Sequence, residues 1–79
     1  MTKVINGKLP FSTIAREIVY QVISCDNNVI VEKVINTKVF IEKFNNYLRS
    51  EGYSKNLKQI NNTQYEYKYT NKKVTIKED

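Results

Sequence analysis

Residues 29–36 read VIVEKVIN, and the fold turns on whether this run is helix or strand. As a helix it points Ile30 and Val34 inward, with Val31 and Ile35 beside them and Asp26 or Asn27 as its cap. As a strand it folds back across Asp26-Asn27-Asn28 onto residues 17–24. The helical reading gives three helices followed by a C-terminal β-hairpin. The extended reading gives hairpin, central helix, hairpin, a ββαββ order. Both are α+β.

On the C-terminal side, Asn36 to Tyr53 is helical by every local signal. Phe40, Ile41, Phe44, Tyr47 and Leu48 form one apolar stripe at helical spacing, Asn36 or Thr37 can cap the first turn, and Gly52 can take the left-handed conformation that ends it. On the N-terminal side, Phe11, Ile14, Ala15, Ile18, Val19, Val22 and Cys25 share one side of a helical wheel, with Ser12 or Thr13 as cap. That stripe places Cys25 among small buried apolar residues. Met1 to Ile5 reads as a short strand, with Asn6-Gly7 as a hairpin turn into Lys8 to Phe11.

Beyond Gly52 the polar run SKNLKQINN leads to a second alternation. Tyr65, Tyr67 and Tyr69 alternate with Glu66 and Lys68, and Val74 and Ile76 alternate with Thr75 and Lys77. A two-residue turn at Asn71-Lys72 would set Tyr69 against Val74, Tyr67 against Ile76 and Glu66 against Lys77. The tyrosines then read as core, or as a platform on which single-stranded bases stack.

Size and composition exclude several function classes. Seventy-nine residues predict one domain over 1–79, because a chain this short buries only about 60–65% of its unfolded surface. With no His and one Cys, a Cys/His zinc site and His-activated nucleophiles are ruled out within one chain, and Gly7 and Gly52 stand too far apart for a phosphate-binding loop. The scattered acids make no evident metal or acid–base pair. The sequence therefore predicts a protein that is not an enzyme and holds no cofactor. One cysteine, no long apolar run and no signal-like core in MTKVINGKLPF predict a cytoplasmic protein without a membrane partner.

The net charge of +5 is unevenly placed. Residues 54–77 carry six lysines against the single acid Glu66, whereas residues 1–53 carry seven basic and five acidic side chains. Such a basic segment is the footprint of contact with phosphates or an acidic surface.

In the helical reading, the order of helix, short helix, turn, helix ending in Gly52-Tyr53 and basic-tipped hairpin is similar to winged helix-turn-helix DNA-binding modules over residues 12–77. The resemblance implies that the central helix enters the major groove and the hairpin lies along the backbone. Asn45 and Arg49 then become candidate base readers beside Lys38, with Lys72 and Lys73 at the tip and Lys55, Lys58 and Lys68 nearby as phosphate contacts. The chain departs from that pattern in lacking a strand between the first two helices and in carrying Glu42 on the reading face. The plainer reading is a solvated helix face with an internal Lys38–Glu42 pair, and strand lysines that discourage edge-to-edge pairing.

Two functional expectations follow. One is a small basic nucleic-acid-binding protein, most readily for double-stranded DNA, acting by occupancy as a regulator or accessory factor. The other is a protein-interaction module, such as a phage- or plasmid-type inhibitor that docks on a larger host protein. Either could act as a homodimer.

Overall fold

The computed structural model of the chain describes residues 1–53, 57–61, 64–67 and 72–79, with 57, 58 and 65–67 described by their backbone. These residues form strand β1 (Thr2–Asn6), helix α1 (Phe11–Val19), strand β2 (Asn28–Val34), helix α2 (Thr37–Ser50) and strands β3 (Leu57–Gln59), β4 (Gln64–Tyr67) and β5 (Lys73–Glu78). One sheet holds all five strands in the order β1-β2-β5-β4-β3. The first three run parallel, and β4 is antiparallel to both β5 and β3.

The α+β class holds, but the winged-helix arrangement does not. VIVEKVIN opens as a strand, and it pairs with neither helix nor residues 17–24. It sits between β1 and β5, parallel to both. Its composition fits that place, since a strand flanked by parallel neighbours reads as a nearly unbroken β-branched run. A bulge produced the false helical period. Lys33 takes φ 62° and the ladder shifts between Val31 and Val34, so the inward residues are Val29, Val31 and Val34, spaced by two and then three.

Two parallel pairings require two crossovers, and α1 and α2 supply them. Both helices lie on the face to which Ile5, Val29, Val31, Val74 and Ile76 point. They add Ile14, Ala15 and Ile18 from α1 and Phe40, Phe44 and Leu48 from α2 to one core. The helices meet through Phe11 and Phe40, whose rings stand edge to face at 5.7 Å. α2 follows its expected limits. Asn36 Oδ1 accepts the Val39 N–H at 3.0 Å, and Gly52 ends the helix at φ +89°.

Asn6-Gly7 turns the chain into a helix and makes no hairpin. Asn6 Oδ1 accepts the Lys8 N–H at 2.9 Å, and Pro10, not Ser12 or Thr13, precedes the first residue of α1. Gly7 is required by its neighbours. Its N–H donates to the Glu32 carbonyl at 2.6 Å, and a Cβ there would collide with that oxygen and lie 2.9 Å from Val34 Cγ2.

α1 leads into one π-helical turn, Tyr20–Ser24, closed by the Cys25 N–H on the Tyr20 carbonyl at 3.1 Å. The wider turn rotates the wheel. Cys25 is therefore exposed, contrary to the sequence stripe, and Gln21 is buried instead. Gln21 Nε2 donates to Glu17 Oε1, and its Oε1 accepts from Asn27 Nδ2, both at 2.8 Å. A side-chain hydrogen bond with Cys25, with that thiol's charge behind it, raises the Tyr20 phenol above its usual value.

The antiparallel pairing of the two C-terminal strands is present, four residues away from the expected register. Tyr65 stands opposite Val74 and Glu66 opposite Lys73, where the sequence suggested Tyr69 and Lys77. Asn71 of the expected two-residue turn and Tyr69 lie outside the described residues.

Three stability measurements check these constraints by urea unfolding. Gly7→Ala is expected to cost about 2–3 kcal/mol, because the obstacle is strand backbone and not a movable side chain. Gly52→Ala, which meets nothing within 4 Å, should cost about 1 kcal/mol from its left-handed backbone alone. Equal losses would mean that β1 and β2 can separate freely at Gly7. Asn36→Ala should cost about 1 kcal/mol through loss of the α2 cap.

Candidate docking site at the carboxyl ends of the parallel strands

Residues singled out for polyanion contact fall on different sides of the fold. Phe40, Phe44 and Leu48 hold α2 against the sheet, so Lys38 and Arg49 are exposed on the far side of the helix layer, and Asn45 is half-buried. Arg49 Nη2 donates to Asn46 Oδ1. Lys73 alternates with the inward Val74 and Ile76, which puts it on the sheet face opposite the helices. Lys72 is half-buried and ion-paired with Asp26 at 3.8 Å. Lys55, Lys68 and the Lys58 side chain lie outside the described residues. The α2 pair and Lys73 therefore share no surface.

One acid, Glu32, accompanies the two described lysines of the open sheet face. By register that face carries Thr2, Val4 and Asn6 of β1, Asn28, Ile30 and Glu32 of β2, and Lys73, Thr75 and Lys77 of β5. Asn28 spends its Oδ1 on the Lys73 N–H at 3.0 Å. Among the described residues this face is mixed in charge, not a basic platform.

What the sequence did not single out is an apolar cleft of about 260 Å³ between the two helix N-termini, at the carboxyl ends of β1 and β2. Its wall is Leu9, Phe11, Ile35, Val39 and Phe40, with Lys43 on the rim. Leu9 is 45% exposed, Val39 47% and Ile35 85%. Scattered exposed apolar residues are ordinary, but three around one aromatic-walled cleft form a patch. The signal was in the sequence: Leu9 flanks a proline, Ile35 follows the strand, and Val39 lies off the α2 stripe.

Parallel topology explains the position. Each of β1 and β2 runs into a loop and then a helix, so both helix N-termini gather beyond the strand ends, where open α/β sheets commonly bind ligands. Two positive features face the rim. Lys43 Nζ lies 5.9 Å from the centre of the Phe11 ring, and α1 has no capping side chain and no acid in its first turn. The acids nearby are engaged: Asp79 pairs with Lys8 at 3.6 Å, and Glu78 Oε1 accepts the Thr37 N–H at 2.8 Å.

The cleft contains no group suited to covalent or acid–base chemistry. Among the described residues no cluster of His, Cys, Asp or Glu could hold a metal ion, and no helix is long and apolar enough to cross a membrane. What the arrangement can do is bind an apolar group with a negative charge beside it. In comparisons with protein-family models, curated proteins and solved structures, nothing matches this chain.

Proposed function

We propose that the chain is a protein-interaction module that acts by occupancy, docking an apolar segment with flanking acidic residues from a larger partner into the cleft between α1 and α2. The observation that carries this reading is the exposure of Leu9, Ile35 and Val39 around a wall of Phe11 and Phe40. An aromatic-walled pocket with apolar residues at its mouth is the form taken by interaction hot spots. Lys43 and the uncapped α1 terminus select for acid beside the apolar anchor. An inhibitor of a larger protein is one role that fits such occupancy.

Nucleic acid is the second reading, favoured by the six lysines of residues 54–77. The division of Arg49 and Lys73 between opposite faces counts against docking that uses the helix and the hairpin together.

The test is an amide chemical-shift titration with a synthetic peptide carrying Leu or Phe between Asp and Glu residues, beside the same peptide with lysine flanks. Shifts confined to Leu9, Ile35, Val39 and Lys43 with the acidic peptide are expected. Ile35→Asp and Val39→Asp should each weaken binding at least about tenfold, while changing stability by no more than about 0.5 kcal/mol, since both sites are exposed. Absent shifts, or equal shifts with both peptides, would remove the docking proposal. Duplex oligonucleotides titrated at two salt concentrations test the second reading, which requires affinity to fall steeply as salt rises.

A further inference from the structure

The ladder between β1 and β2 is pinned at both ends. The Met1 carbonyl accepts the Asn28 N–H at 2.9 Å, and the Gly7 N–H donates to the Glu32 carbonyl at 2.6 Å. In a parallel pair, alternate residues direct both backbone groups toward the neighbour. Lys3 and Ile5 therefore share the β2 side with Met1 and Gly7, and Thr2, Val4 and Asn6 direct theirs out of the sheet. β1 is an edge strand in the sheet order. Its outward Asn6 carbonyl already accepts the Leu9 N–H at 3.2 Å, which leaves the second lone pair of that oxygen.

We propose that this edge joins a second copy of the chain, with two β1 strands pairing antiparallel about a twofold axis at Val4. The edge is self-complementary in that register. Val4 meets the second copy's Val4, Thr2 meets its Asn6, and Lys3 lies opposite its Ile5, so no like charges face each other. Val4 is 55% exposed on the open sheet face, and the pairing covers it with its own twin. The axis runs through the sheet, so both helix layers stay on one side.

A groove beside the strand receives what projects on the helix side. It measures about 250 Å³ and is lined by Lys3, Ile5, Leu9, Thr13 and Glu17 among others. The second copy's Lys3, set opposite Ile5, lays its methylenes along this groove. The choice of occupant rests on the register: about an axis at Val4 the exposed apolar side chain meets its own twin and the one charged residue of the strand, Lys3, lies opposite Ile5. The interface adjoins the cleft between the helices at Leu9 but is built on the β1 edge, and it stands whether or not that cleft binds a peptide.

Sedimentation equilibrium from about 10 µM to about 1 mM suits an interface of this limited extent. The wild type is expected to pass from its 9.3 kDa chain mass toward twice that value. Association should tighten with added salt, because each copy carries +5 and screening relieves their repulsion. Val4→Pro removes an N–H that the β1–β2 ladder does not use, at an edge position where proline is tolerated. It should keep the fold by circular dichroism and raise the dimer dissociation constant at least about tenfold. Val4→Lys, at an exposed site, sets two ammonium groups together at the axis and should do the same. Should the proline variant unfold, the lysine variant decides. A wild type that stays at chain mass throughout, or folded variants that dimerise like it, would overturn the proposal.

Discussion

Everything in this fold follows from β2 being hydrogen-bonded on both sides to strands that run its own way. Val29, Val31 and Val34 are fully or almost fully buried only because β1 and β5 close the two flanks and both helices close the face above. A parallel neighbour cannot be reached by a tight turn, so each pairing demands a crossover. Because the three strands advance in one direction across the sheet, both crossovers fall on the same face. One face is thereby spent on the core, and the opposite face is left to polar and half-buried residues.

That division also settles where charge can act together. α2 turns Lys38 and Arg49 away from the sheet, while β5 turns Lys73 and Lys77 away from the helices. A net charge of +5 on a body roughly 28 × 27 × 24 Å attracts polyanions from a distance, but a docking surface needs its charges on one side. Counting charge along the chain could not distinguish those cases, since alternation along a strand and rotation around a helix decide which residues share a side.

Legibility tracked how local the deciding physics was. α2 could be read from start to stop because its cap, stripe and terminal glycine all act within a turn or two of chain: Asn36 caps, Phe40, Phe44 and Leu48 bury, and Gly52 ends it. β2 was ambiguous because its bulge at Lys33 inserts one residue and converts a strand spacing into one that resembles a helix. Cys25 was misplaced because a single π turn moved it off a stripe that had been right through Val22. The register of β4 against β5 was missed because alternation fixes which residues share a face, not where the chain reverses. The parallel sheet itself left no local trace, since it is set by contacts between residues about 25 and 45 positions apart. The cleft left only separate hints, Leu9, Ile35 and Val39 each standing off an apolar stripe, because its wall comes from two loops and two helices that only the fold brings together.

The cleft persists because polar ties, not apolar contacts, hold its borders. Exposed Leu9, Ile35 and Val39 would lower their free energy by closing over one another, and a rim of flexible loops would let them. Here the end of β5 reaches across all three segments. The Asp79 N–H donates to the Val34 carbonyl at 2.9 Å, Glu78 caps the Thr37 N–H, and the Asp79 carboxylate pairs with Lys8. The end of β2, the start of α2 and the β1–α1 loop are thus spaced by one strand terminus. The two exposed contacts are individually weak, but each acts on a different segment, and together with the ladder bond they keep the apolar side chains apart. The acids that offset the basic excess of the preceding segment are, in this fold, the struts of the apolar opening between the helices.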